Sequence, residues 1–278
     1  MAFYMTISIN CIEILVNERS FIMSIFVDLN SDIGEGFGDY SIGMDEEILK
    51  HVTSANIACY FHAGDPLIMD NTVKMAKDLG VAIGSHPGYP DLIGFGRRPM
   101  TITAKEARAY VLYQMGALKA FAIANGIEVQ HMKLHGAFYN SACSQKELAD
   151  AVLDAVESYD KNIILMVLSG SYIAKEGIRR GLKVAQEVFA DRGYNTDGTL
   201  VNRKLEGAFI KDKDEAIQRV IRMVKEGKVK AVDGSDIDIK ADSICVHGDN
   251  PKAIEFVKNI RQSLTDAGIT VTSLYNFL

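Results

Sequence analysis

The chain has 278 residues, 48% hydrophobic and 24% charged, and 36 acidic against 30 basic side chains give a net charge of −6. That composition is ordinary for a globular protein and carries no basic footprint for nucleic acid or an anionic membrane. Tryptophan is absent and aromatics are only 8%, which argues against a stacking platform for sugars or bases.

The length suits either two average domains or one barrel. Residues 1–22 do not match the rest of the chain: they lack a basic n-region and a small-residue cleavage site, and their apolar runs are too short and interrupted to span a bilayer. Met23 then opens MSIFVDLNSDIGE, which reads like a natural start. The expectation is a non-core extension over 1–22, rather than an extra strand or helix packed outside, and one domain over 23–278. The cysteines at 11, 59, 143 and 245 form no CxxC pair, so reduced, mostly buried thiols in a cytoplasmic protein are expected.

In chain order, a short apolar run repeatedly gives way to a polar, Gly-rich turn and then to an amphipathic helix. The run 25–29 (IFVDL) comes first, followed by a helix at about 44–54. Run 55–61 leads to helix 67–79, which ends at Gly80, and run 81–85 leads to helix 104–125. That helix opens on a capping box of Thr103 and Glu106 and closes at Gly126. Run 128–134 precedes helix 145–158, read as starting behind Ser144 with Glu147 three residues on. Run 163–168 and helix 171–181 come next, then run 183–189, an excursion over 193–211, and helix 213–226 ending at Gly227. The segment 229–242 carries a turn and alternation that predict a small antiparallel hairpin; run 243–246 and helix 251–267, ending at Gly268, complete the chain.

Continuous short apolar runs mark buried parallel strands, and strand–helix alternation means right-handed crossovers. Seven strands are many for an open sheet, and GEGFGD at 34–39 lacks the GxGxxG spacing of a dinucleotide fold. An α/β barrel of (β/α)7 or (β/α)8 type is favoured.

Polar residues gather where these strands end: Asp28, Asn30, Asp32 and Glu35; His62 and Asp65; His86 and Asp91; Lys133 and His135; Glu187, Asp191 and Arg192; His247 and Asp249. In a parallel barrel those ends share one mouth, where such folds keep their chemistry. Only His51 among the six histidines falls on a predicted helix. Period-2 geometry puts Asp28, Asn30 and Asp32 on one face. Asp65, and Asp249 or Asn250, each precede a proline and suit helix caps better than catalysis. An inward lysine is costly unless it meets a carboxylate or an anionic ligand, so Lys133 reads as functional. Arg97 and Arg98 are either a solvated pair or a clamp for a carboxylate or phosphate. Glu187 or Asp191 serves as a base or as the partner of Lys133 or Arg192. There is no GxxxxGK[ST], GxSxG or HExxH motif.

The stretches DLNSDIGEGFGDY (28–40), NIACYFHAGDP (56–66), GSHPGYPDLIGFGRRPM (84–100), YQMGALKAFA (113–122), HMKLHGAFYN (131–140), EVFADRGY (187–194) and ICVHGDNP (244–251) resemble the lactam-utilisation LamB/YcsF family. The likeness runs over about 25–270, in order. It implies a single (β/α)7-type barrel related to glycoside hydrolases and polysaccharide deacetylases. It also implies opening of the lactam of 5-oxo-L-proline to L-glutamate, with ATP (and Mg2+) as co-substrate and B and C partner subunits. Two positions depart from the family pattern: Tyr60 stands where Gly is usual, and Leu134 where Pro is usual.

An unstrained lactam is a poor electrophile, and phosphorylating its oxygen would make that oxygen a leaving group. On that scheme Asp32 or Glu187 is the general base, and Lys133 and His135 stabilise developing charge. Asn30, His62, His86 and His247 line the pocket, and Arg97 or Arg192 takes the substrate carboxylate. Replacing Lys133 by Ala is expected to abolish turnover while leaving the melting temperature near wild type. Two other readings compete. One is a metal-dependent amidohydrolase or deacetylase acting without ATP, its metal held by Asp32, His62 and His86 or His135. The other is a non-catalytic component that binds or regulates within a larger assembly. Oligomeric state, including a homo-oligomer, is left open by the sequence.

Overall fold

The computed structural model describes residues 24–247 and 251–278. The predicted extension over 1–22 and the capping role of Asp249 or Asn250 lie outside them.

Nine residues of extended chain form β1 (Ile25–Ile33), the longest strand, and the other barrel strands are β2 (Ser54–Ala58), β3 (Ala82–His86), β4 (Val129–Met132), β5 (Ile164–Leu168), β6 (Val184–Phe189) and β9 (Ser243–Cys245). All pair in parallel in the order β1-β2-β3-β4-β5-β6-β9, and β9 pairs back onto β1, so the sheet closes as a seven-stranded barrel. The seven predicted runs are these seven strands. A further short strand, β10 (Ile269–Val271), pairs with the first three residues of β1. Below the barrel Leu274, Ile164, Met166 and Ala185 form a small apolar cluster, and Phe277 stacks on Phe26 at 6.0 Å. The N-terminal end of the barrel is thereby plugged, and the C-terminal end is left as the mouth.

The helices are α1 (Asp45–Leu49), α2 (Pro66–Asp78), α3 (Ala104–Asn125), α4 (Gly136–Ser144), α5 (Lys146–Tyr159), α6 (Tyr172–Arg179), α7 (Lys213–Glu226) and α8 (Pro251–Asp266). The capping box of Thr103 and Glu106 is complete on α3, and Gly126 and Gly227 close α3 and α7 in the left-handed conformation. Asp65 caps α2, accepting from Leu67 N and Ile68 N, with Pro66 at the first helical position.

Three features differ locally from the sequence expectation. The helix expected over about 44–54 is only Asp45–Leu49, and Ser54 already begins β2. Ser144 does not cap α5; it is the last residue of α4, its hydroxyl donates back to Asn140 O, and the residue before α5 is Gln145 with no side-chain cap. Helix α4 itself has no amphipathic signal in its sequence, GAFYNSACS, and follows β4 almost directly. The predicted hairpin is present as β7 (Lys228–Lys230) and β8 (Asp236–Asp238), paired antiparallel. No helix among the described residues is long and apolar enough to cross a membrane.

Candidate active site in the barrel mouth

Strand alternation sends Asp28, Asn30 and Asp32 into the lumen, one above another. At the deepest level Asp28, fully buried, accepts from Thr53, Ser54 and Ser243 hydroxyls at 2.6, 2.6 and 2.5 Å. Burial pushes its carboxyl from 3.8 up to about 6, although those three donors work in the opposite direction. One level up, Asn30 Oδ1 accepts from Asn56 at 2.8 Å and from Lys133 Nζ at 3.1 Å. His131, inside β4, meets Asn56 Oδ1 at 2.7 Å.

Lys133 is the centre of the mouth. Its ammonium lies 3.0 Å from Asp32 Oδ1, 2.7 Å from Glu187 Oε1 and 3.3 Å from Cys245 Sγ. Burial alone would lower its proton affinity, but Asp32, Cys245 and Glu187 outweigh it and hold the ammonium well above the lysine range. Glu187 is sealed beneath it, with Oε2 accepting from Tyr139 OH at 2.7 Å. Asp32 is 18% exposed at the side chain, so it is the one of the two that solvent reaches. Burial raises the Asp32 carboxyl, yet His86 and Lys133 keep it well below the usual carboxylate range. Lys133 thus neutralises one sealed carboxylate, Glu187, and one that solvent reaches, Asp32.

Beside this pair stands a histidine cluster. His86 Nε2 is 3.3 Å from Asp32 Oδ2 and 3.0 Å from His135 Nδ1. His62 and His135 stack with ring centres 3.7 Å apart. Glu35 Oε1 lies 3.3 Å from His62 Nε2 and 3.4 Å from His135 Nδ1. Burial holds His62 and His135 well below the usual histidine range, so both rings are neutral, and it raises the Glu35 carboxyl. The stack is covered by the loop after β3. A Cβ on Gly96 would lie 2.7 Å from His62 Cβ, and one on Gly88 would lie 2.5 Å from His62 Nδ1, so only glycine lets the loop close this tightly. Phe95, next in that loop, has φ +54 and points its carbonyl at His135 Nε2, 2.9 Å away.

The other predicted residues separate. His247 pairs with Asp191 at 3.3 Å; burial would lower its proton affinity, but Cys245 and Asp191 raise it well above the usual range. Arg97 is exposed at the rim with its guanidinium 5.1 Å over the Phe95 ring, and it forms no ion pair with a described carboxylate. Arg98 is instead spent on Asp91, which also accepts from Gly94 N. Arg192 is buried; its Nε donates to the Ala208 carbonyl and its Nη2 to the Val201 carbonyl, so it pins the 193–211 excursion. The excursion brings Arg203 to the rim, 5.4 Å over Phe209 and within reach of the charge of Arg97, Asp191 and Asp32. Arg203 carries no motif that singles it out, and Tyr139 lies inside the stretch HMKLHGAFYN, where nothing marks it from its neighbours. Glu35, by contrast, lies among the polar residues at the end of β1, and it rather than Asp32 is the carboxylate that joins the three histidines. Tyr60 adopts φ +79, a backbone conformation that glycine takes without strain; its ring reaches outward to Phe37 at 6.1 Å. Leu134 is buried and points away from the mouth's polar cluster into the core.

Known proteins share this chain over nearly its full length. The A subunit of 5-oxoprolinase from Fusobacterium nucleatum is 71% identical over 256 residues, 92% of this chain and 100% of that protein. Its counterpart from Pyrococcus abyssi is 56% identical over 252 residues, covering 91% and 99%. The crystal structure of a lactam utilization protein from Thermus thermophilus superposes with a TM-score of 0.84 at 45% identity, covering 89% of this chain and 99% of that one. The model of the LamB/YcsF family matches residues 27–278, and the chain belongs to that family.

Proposed function

We propose that the protein is the A subunit of an ATP-dependent 5-oxoprolinase, which opens 5-oxo-L-proline to L-glutamate. The observation that carries this reading is Lys133, held as an ammonium between Asp32 and Glu187 at the mouth of the barrel. Proteins named as the A subunit of 5-oxoprolinase, up to 71% identical, support it.

A five-membered lactam resists water because its nitrogen lone pair is delocalised into the carbonyl. Transfer of the γ-phosphoryl group of ATP to the amide oxygen makes the carbon electrophilic. Water then adds, the ring nitrogen leaves with a proton, and the resulting acyl phosphate is hydrolysed to glutamate and phosphate. Asp32, ionised and reached by solvent, orients the attacking water and takes its proton. Lys133 stabilises charge on the lactam oxygen, and Glu187 with Tyr139 fixes Lys133 in place. His135 and His86 line the pocket beside them. Arg97 and Arg203 hold the substrate carboxylate at the rim, with His247 and Asp191 facing it from β9 and β6. Without a phosphate loop in its sequence, this chain leaves nucleotide binding chiefly to partner B and C subunits. Cys59, Cys143 and Cys245 are free thiols, which suits the cytoplasm, where ATP is available.

Reconstituting the chain with its partner subunits and measuring glutamate release tests the proposal: turnover requires ATP, 5-oxoproline and Lys133. A second reading, amide hydrolysis without ATP, is favoured by the four-donor cluster of Glu35, His62, His86 and His135. It predicts turnover by the isolated chain that a chelator abolishes.

A further inference from the structure

Hydrogen-bond accounting in the histidine cluster leaves a gap. His86 Nδ1 sits 2.8 Å from the Lys133 carbonyl and His135 Nε2 sits 2.9 Å from the Phe95 carbonyl. A carbonyl only accepts, so each of these nitrogens carries the ring's proton. The tautomers that those two carbonyls select turn the lone pairs of the opposite nitrogens, His86 Nε2 and His135 Nδ1, toward each other across 3.0 Å. Two lone pairs at that distance repel, and the neighbouring atoms, Glu35 Oε1 and Asp32 Oδ2, are acceptors as well. Something positive belongs between them.

The geometry points to a divalent cation of the zinc type, held by His86 Nε2, His135 Nδ1, His62 and Glu35. All four donor atoms lie within 4.8 Å of one another. Ligands ~2.0–2.1 Å from a tetrahedral ion stand about 3.3 Å apart. The edges of this cluster measure 3.0 Å (His86 to His135), 3.4 Å (His135 to Glu35) and 3.3 Å (Glu35 to His62). The remote nitrogens of His86 and His135 donate to backbone carbonyls, the usual arrangement that fixes the tautomer of a ligating imidazole. Three imidazoles with one carboxylate suit zinc and its borderline neighbours better than magnesium or calcium, which prefer all-oxygen shells. Asp32 stands at the edge of this site, 3.3 Å from His86 Nε2, and Lys133 and Asn56 hold it there.

Only the use of such an ion, as a Lewis acid facing the lactam oxygen or the attacking water, rests on the proposed function. The site itself stands on donor geometry.

The test is metal binding by the full chain, read without ATP, 5-oxoproline or partner subunits. Protein stripped with chelator is titrated with Zn2+, and with Co2+ followed by visible absorption; bound metal is counted by mass spectrometry after gel filtration. The expected result is one equivalent per chain, with affinity reduced ~100-fold or more in Glu35→Gln and His86→Ala. Glu35→Gln keeps the side chain's shape, and circular dichroism confirms that it is folded. Absence of saturable binding in the wild-type chain, or equal uptake by Glu35→Gln, overturns the site and leaves a shared proton between the two rings as the explanation. A chain that binds metal but shows no oxoprolinase activity refutes the proposed function and not this site.

Discussion

Replacing Lys133 by Met keeps the volume of the side chain and removes its charge. The ammonium it removes sits 3.0 Å from Asp32 and 2.7 Å from Glu187, and its side chain is 4% exposed. At an effective dielectric of about 20, one such contact is worth about 6 kcal/mol of attraction, most of it offset by the cost of burying the charges. Deleting one partner exposes that hidden cost, and losses of about 3–5 kcal/mol are typical for buried pairs. For a chain of this size that is a fall in melting temperature of roughly 6–20 °C. Glu187 bears most of it, because it is wholly buried, while Asp32 keeps Asn56 and His86 as partners and touches solvent. The double variant Lys133→Met, Glu187→Gln should therefore regain about half of the lost stability, a coupling on the order of 2 kcal/mol in a double-mutant cycle. Turnover stays lost in both, by ~1000-fold or more, since the missing charge acts on the reacting oxygen. Thermal and denaturant melts give the stability and glutamate release gives the activity. A Lys133→Met melting temperature within about 2 °C of wild type, equivalent to about 1 kcal/mol or less, would refute the buried-bridge reasoning.

The same geometry sets three other outcomes. Asp28, lifted from 3.8 to about 6 by burial, binds a proton more tightly folded than unfolded, so its contribution to stability is greatest below pH 4 and falls as pH rises to about 6. Asp28→Asn should remove that slope, worth about 3 kcal/mol across the window; parallel pH profiles of stability for the two proteins would contradict it. Arg97→Ala and Arg203→Ala should each raise the KM for 5-oxoproline by roughly tenfold, about 1.4 kcal/mol, with little change in kcat, whereas Arg98→Ala should leave KM unchanged because that side chain serves Asp91. Tyr60→Gly relieves a left-handed backbone at φ +79 and should leave the melting temperature equal or higher despite the loss of the Phe37 contact; a fall of several degrees would show that the ring contact dominates.

The strand count and the barrel were legible because each buried parallel strand is a continuous apolar run, and because chain order alone places their polar ends at one mouth. Lys133 was legible for the same reason: an inward lysine needs a partner, and the partners are Asp32 and Glu187. Helix α4 was not, since its Gly, Ala and Ser composition carries no period, and with it went Tyr139, the donor to Glu187. The places of Arg192 and Arg203 were not legible either. Sequence position put Arg192 at the end of β6, but only the folded excursion shows its guanidinium donating to two carbonyls and Arg203 standing over Phe209. The choice of Glu35 over Asp32 as the carboxylate of the histidine cluster depends on how β1 ends and its loop turns, which alternation along the strand does not determine.

The most direct test of the account is 5-oxoproline-dependent ATP hydrolysis with glutamate release, measured on the chain combined with its partner subunits and repeated with Lys133→Met. The account predicts that glutamate and phosphate appear together only in the complete mixture and that the variant supports neither. Glutamate formed by the chain alone without ATP, or full activity with Lys133→Met in place of wild type, would contradict it.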